Sequence, residues 1–275
     1  MAKPQVVLPS NLRGHELQIA LKYFEDAGQL TPREWKTALS TFDALRKGVV
    51  MVGQRRITFQ QVYDRYVDFP YADSFIAQLM ELPDLNASAE TLQRETSFEV
   101  LTALEQQGFY QEESEGSEYL AAYCLYWWTS FARGYRFELE VLRDLAASDI
   151  EFIAHDVRTR TGRLSPYDLV VLKQRGDIKN TTYFLHLARA LPSSCDFYVT
   201  RLFDSRVRRY LPVVIMTEAA WRILDGDVPT ASLETVADFF LRPVKFTSKD
   251  RSFIALPYDL WKARVKKRQE KGVQS

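Results

Sequence analysis

Asp168, Asp177 and Lys179 are the residues of this chain whose types and spacing could do chemistry. Asp177 and Lys179 stand two apart in the triplet Asp177-Ile178-Lys179, so on a strand their side chains share one face. Residues 169–172, Leu-Val-Val-Leu, read as a buried strand, 173–176 as its turn and 176–180 as the returning strand. A short hairpin brings Asp168, at the end of Pro166-Tyr167-Asp168, beside the triplet; a turn centred on Arg175-Gly176 would leave it nearer Tyr183 instead. Two carboxylates and one ammonium at a sheet rim suit metal-dependent phosphodiester hydrolysis. The carboxylates would hold a divalent cation, and the lysine would steady an attacking water or the charge developing on the phosphate. A similar triplet, Glu34-Trp35-Lys36, falls in a helical pattern and reads as a solvated surface pair, so context must separate the two.

That context is an ordered series of elements. Residues 134–145 have helical spacing, with Phe137, Val141, Leu142 and Leu145 on one stripe, and residues 150–154 read as a first strand. After the hairpin, residues 183–191 have helical spacing, capped by Thr181 or Thr182 and ended by Pro192. Residues 197–200 and 211–216 then read as strands. Helix, three strands, crossover helix and two strands make an α/β domain.

This order, opened by Gly134-x-x-x-Glu138-x-Glu140, resembles the core of the PD-(D/E)xK nuclease superfamily, which includes many restriction enzymes and Holliday-junction resolvases. The resemblance spans roughly residues 131–216, about a third of the chain. It implies a restriction-endonuclease-like mixed sheet flanked by helices, with Glu138 as a helix-borne carboxylate and Asp168 and Asp177 as metal ligands. It further implies that Ile178 lends its backbone carbonyl to the metal and that Lys179 is catalytic. The cofactor would be Mg2+ or Mn2+ and the substrate nucleic acid, DNA before RNA. By analogy with nucleases that cut both strands, a homodimer is possible. The alternative is a catalytically silent nuclease-like fold that binds protein or DNA.

The formal net charge is +0, but it is unevenly spread. Residues 68–118 hold twelve acids and one base, Arg94, whereas residues 241–275 hold ten Lys or Arg against three acids. The first stretch should repel nucleic acid and the second attract it. In the basic end, Trp261 stands among Lys262, Arg264, Lys266, Lys267 and Arg268, and a second cluster, Arg201, Arg206, Arg208 and Arg209, separates the last two predicted strands. Arg201, Arg206, Arg208, Arg209, Lys262, Lys266 and Lys267 are therefore the candidate phosphate contacts; the bland alternative is charge that keeps the chain soluble.

The sequence divides into a mostly helical region, residues 1–116, and an α/β domain with a basic tail, residues 117–275, with the polar run 112–118 as linker. Residues 16–27 and 32–45 read as helices, the second capped by Thr31 with Pro32 at its first position. Residues 49–52 and 56–58 read as a hairpin around Gly53-Gln54. Two helices and a hairpin can make a winged-helix reader, but the acidic surroundings favour packing or a protein partner. The aromatic run 119–128 reads as core. Cys124 and Cys195 lack zinc-type spacing and read as buried free thiols, and His15, His155 and His186 are scattered. No phosphate loop, dinucleotide fingerprint or serine-nucleophile elbow occurs. With no signal-peptide-like run and no stretch of membrane-span length, the expectation is a soluble cytoplasmic protein.

Overall fold

The computed structural model describes residues 4–26, 29–85, 87–111, 114–180, 195–204, 209–229, 242–248 and 251–273. Its contacts separate two compact units, Met1–Arg133 and Gly134–Ser275.

The first unit opens with β1 (Gln5–Val7), α1 (Gly14–Asp26) and α2 (Pro32–Leu45). The hairpin of β2 (Val49–Val52) and β3 (Arg55–Thr58) follows, turned at Gly53 with φ +60. β1 adds to β2, giving an antiparallel sheet in the order β1-β2-β3. As expected, Thr31 begins α2 with a reciprocal capping box to Glu34, which satisfies two otherwise orphaned N–H groups. Thr58 repeats the device with Gln61 at the start of α3 (Phe59–Tyr63). A π-helical turn, Asp64–Asp68, leads into α4 (Phe69–Glu81). Next come α5 (Ala87–Gln106) and α6 (Ser117–Ala147).

The expected linker is largely a packed turn. Ser114 and Ser117 are buried, and Ser117 Oγ donates to Gln111 O at 2.6 Å; Glu112 and Glu113 lie outside the described residues. α6 begins at the expected boundary, 116/117, and the division between units falls inside the helix, after Arg133. Its first half belongs to the first unit because its aromatic rings pack there. Tyr126 stacks on Phe42 at 4.2 Å, and Trp128 meets Phe75 edge-on at 5.1 Å.

The second unit is α/β. From the second half of α6 the chain makes β4 (Ile153–Ala154), α7 (Arg160–Arg163), β5 (Leu169–Val171) and β6 (Gln174–Lys179). It continues as β7 (Phe197–Asp204), β8 (Arg209–Thr217), α8 (Glu218–Leu224), β9 (Val244–Ser248), β10 (Arg251–Pro257) and α9 (Tyr258–Val273). The seven strands lie in the order β4-β5-β6-β7-β8-β10-β9. Every pairing is antiparallel except β6 with β7, which makes the sheet mixed. The predicted crossover helix at 183–191 lies outside the described residues.

Strand alternation sends one set of side chains to each face. Ile178, Phe197, Val199, Val214, Met216, Ile254 and Leu256 face a core completed by Phe137, Val141 and Leu145 of α6, Trp221 of α8 and Trp261 of α9. Tyr198, Val213, Ile215, Phe253 and Ala255 form a second cluster on the opposite face. The basic tail of the sequence reading is thus two strands and a helix. β10 pairs directly with β8, and Phe253, Ile254, Ala255 and Leu256 are fully buried. The charges around that short apolar run masked a central strand.

Gly176 lies directly opposite Phe197 in the parallel ladder, and a Cβ there would press into the Phe197 ring. Gly176→Ala should therefore destabilise the protein by about 1–3 kcal/mol through overpacking, and Phe197→Leu in the same chain should recover part of the loss. Urea denaturation checks this; a Gly176→Ala midpoint equal to that of the parent would refute it.

Candidate active site

The site begins with a turn. β5 and β6 are joined by Leu172 and Lys173 alone, both in the left-handed region, at φ 51 and φ 62. Two consecutive positive φ values are the signature of the tightest hairpin connection, whose twist matches that of the strands. The expected four-residue turn is therefore shortened, and the ladder runs Val171↔Gln174, Val170↔Arg175, Leu169↔Gly176. Asp168 and Asp177 come one residue beyond the last pair, on neighbouring strands. Leu169, Val171 and Ile178 enter the core, so the pleat sends Asp168, Asp177 and Lys179 to the other side.

Several backbone bonds fix Asp168. Its N–H donates to Gly176 O at 2.9 Å, and its carbonyl accepts from His155 N–H at 3.0 Å. Its carboxyl Oδ2 accepts from Ile178 N–H at 2.6 Å. His155, unremarkable in the sequence, is thus part of the support. Its ring also meets Tyr167 edge-on at 4.6 Å. Cys195 Sγ donates to Pro166 O at 3.3 Å and steadies the same segment.

Asp177 is buried, and its Oδ1 lies 2.7 Å from Lys179 Nζ. Glu138, on α6, is also buried. Burial, then the neighbouring Asp168 charge, pushes the Glu138 carboxyl up to about 8, with Lys179 pulling the other way. Burial, then Asp177, pushes Asp168 up to about 7. Burial works against the Lys179 ammonium, but Asp177 beside it outweighs that and holds it above the ordinary lysine range. These are the effects of like charges sharing a poorly solvated space, relieved by one fixed ammonium.

All four residues singled out for chemistry therefore interact. The donors are oxygens of acidic side chains, the set a hard divalent cation takes. Among the described residues no three His, Cys, Asp or Glu side chains form a ready-made metal cage. Mg2+ does not require one, since it binds one or two carboxylates and keeps several waters. Beside the group lies a residue the sequence did not flag. Thr200 pairs with Lys179 in the parallel ladder; its Oγ1 is buried and lacks a hydrogen-bond partner among the described residues.

The candidate phosphate contacts fare differently. Arg201 Nη2 lies 2.8 Å from Glu140 Oε2, and its guanidinium stacks over Phe137 at 3.9 Å. Lys262 bridges Asp144 at 2.6 Å and Asp259 at 3.2 Å. Lys266 reaches Asp149 at 3.7 Å and Ser148 O at 3.2 Å. Arg209 begins β8, while Arg206 and Arg208 lie outside the described residues. Lys267 alone of the named lysines makes no ion pair among the described residues.

The second unit is thus an α/β domain whose sheet carries two aspartates and a lysine, with the buried Glu138 of α6 acting electrostatically on them. Comparisons with models of protein families, with curated proteins and with solved structures find no match to this chain.

The raised carboxyl pKa values set the sign of a pH effect. In the folded protein Glu138 and Asp168 retain protons that the unfolded chain releases near its ordinary values of 4.5 and 3.8. Their stabilising protons are fully held below that range and are lost as pH rises through about 7 and 8. Metal-free stability should fall between these limits, by at most about 1.4 kcal/mol per pH unit for each extra proton bound. Glu138→Gln should flatten the fall. Urea denaturation at a series of pH values, with chelator present, measures both slopes.

Proposed function

We propose that the second unit is a metal-dependent phosphodiester hydrolase acting on nucleic acid, with DNA as substrate. The observation that carries this reading is the placement of Asp168 and Asp177 by the β5–β6 register, with Asp168 Oδ2 on the Ile178 N–H and Lys179 held against Asp177. Asp168 and Asp177 would hold Mg2+ or Mn2+, Ile178 would offer its carbonyl, and Glu138 would join directly or through water. When bound, the ion lowers the pKa of a water and polarises the phosphate oxygen. Lys179 would offer its ammonium to the attacking water or the phosphate oxygen. Among the described residues no helix is long and apolar enough to cross a membrane. The buried free thiols Cys124 and Cys195 accord with a cytoplasmic protein.

A second reading, a silent nuclease-like module that binds DNA or protein, draws on one feature of the same group. Lys179 already pairs with Asp177, and the Ile178 N–H with Asp168, without an added ligand.

Calorimetry and a labelled-DNA cleavage assay separate the two readings. The parent chain should bind Mg2+ or Mn2+ and cut DNA. Asp177→Asn should lose both properties, whereas Lys179→Met should keep metal binding and lose at least about 100-fold in rate. A Lys179→Met protein that cuts as fast as the parent would sink the hydrolase assignment, and DNA binding without metal binding or cleavage would establish the silent module.

A further inference from the structure

The cations of α9 fall into two sets. Lys262 and Lys266 point toward α6 and are neutralised by Asp144, Asp259 and Asp149. Gln269 lies on the same side, donating to Glu151 O at 2.8 Å. Arg264, Lys267, Arg268 and Lys271 have the i, i+3, i+4, i+7 spacing of another helix face. Together with Arg222, Asp225 and Gly226 at the end of α8, these four line a cleft of about 230 Å³.

The cleft has fixed walls and free charges. Arg264 Nε lies 3.1 Å from Asp225 Oδ2, and its guanidinium sits over the buried Trp221 ring at 5.5 Å, so one arginine is anchored and the cleft's one lining carboxylate is engaged. Gly226, at φ +91, lets the chain turn away from α8, and a Cβ there would meet nothing within 4 Å, so this edge of the cleft is open. Arg222 has only a distant ion pair, 3.9 Å from Glu218. Lys267, Arg268 and Lys271 make no ion pair among the described residues. Five cations thus face one carboxylate in a chain of net charge +0. Favourable interaction with the helix dipole accounts for Arg222 in the last turn of α8 and Lys271 in that of α9, but not for Arg264, Lys267 or Arg268. Like charges gathered in a concave site repel one another until an anion enters, and arginine forks match phosphate oxygens.

We propose that the cleft between α8 and α9 binds the phosphodiester backbone of a nucleic acid, through Lys267, Arg268, Lys271 and Arg222 beside the anchored Arg264. It is built from elements other than the hairpin that carries the carboxyls, and it rests on the hydrolase reading only for the choice of nucleic acid as the polyanion. Binding here needs no metal.

The test is fluorescence anisotropy of a labelled DNA duplex with the full chain, in chelator, across a salt series. The variant Lys267→Ala/Arg268→Ala/Lys271→Ala should weaken binding and flatten the slope of log affinity against log salt by roughly two to three units, at about 0.9 per lost phosphate contact. Arg33→Ala/Lys36→Ala, on the exposed surface of the first unit, should leave the slope unchanged. Thermal melts equal to that of the parent establish that the triple variant is folded; if it is not, Lys267→Gln and Arg268→Gln are measured singly and should each remove about one unit. An unchanged slope in folded variants, or a parent chain that binds no DNA, overturns the cleft. Binding of an acidic peptide in place of DNA overturns it too. Loss of slope in a parent that binds but never cuts DNA supports the cleft while removing the hydrolase reading alone.

Discussion

A two-residue turn governs the candidate chemistry of this protein. Leu172 and Lys173 both adopt the left-handed conformation that L-residues with side chains disfavour. Leu172 still packs against the core that holds Val171, Leu169 and Ile178, so burial around the hairpin offsets the backbone cost. The tightness sets the register, and the register sets Asp168 beside Asp177. One residue more in the turn would shift the pairing and send one carboxylate to the opposite face.

The sheet supplies the rigidity that the turn needs. β6 is held on one side by β5 and on the other by the parallel β7, with Gly176 leaving room for the Phe197 ring. Phe197 in turn meets Trp261 of α9 at 5.3 Å. The same packing that buries the apolar face thus fixes the strand whose other face carries Asp177 and Lys179. Crowding three carboxyls into such a place is unfavourable unless protons, an ammonium or a cation neutralise them. The raised pKa values of Glu138 and Asp168 and the ion pair of Asp177 with Lys179 are the response of the group to that crowding.

Charge elsewhere in the second unit serves two purposes that composition does not separate. Arg201, Lys262 and Lys266 tie strands and helices together through Glu140, Asp144 and Asp149. Lys267, Arg268 and Lys271, one to five residues further along the same helix as Lys266, make no ion pair among the described residues. A helix turns 100° per residue, so neighbours in a basic run can face entirely different surroundings.

What the sequence determined by itself was local. The Thr31 cap, the Gly53 hairpin, the helical stripe of Phe137, Val141 and Leu145, and the shared face of Asp177 and Lys179 all follow from steric and periodic rules acting over a few residues. The presence of an α/β unit was legible for the same reason, since the order of elements survives errors at their ends. The turn length was not legible, because Leu172 and Lys173 carry none of the glycine or asparagine signals that mark positive φ. Nor was β10, whose short apolar run becomes an interior strand only through pairing with β8, nor the division between the units inside α6. The partners of Lys262 and Lys266, Asp144 and Asp149, lie more than a hundred residues earlier. Tertiary structure decided these points because strand register and helix packing are fixed by contacts between distant segments, and no local pattern in one segment specifies where the other will lie.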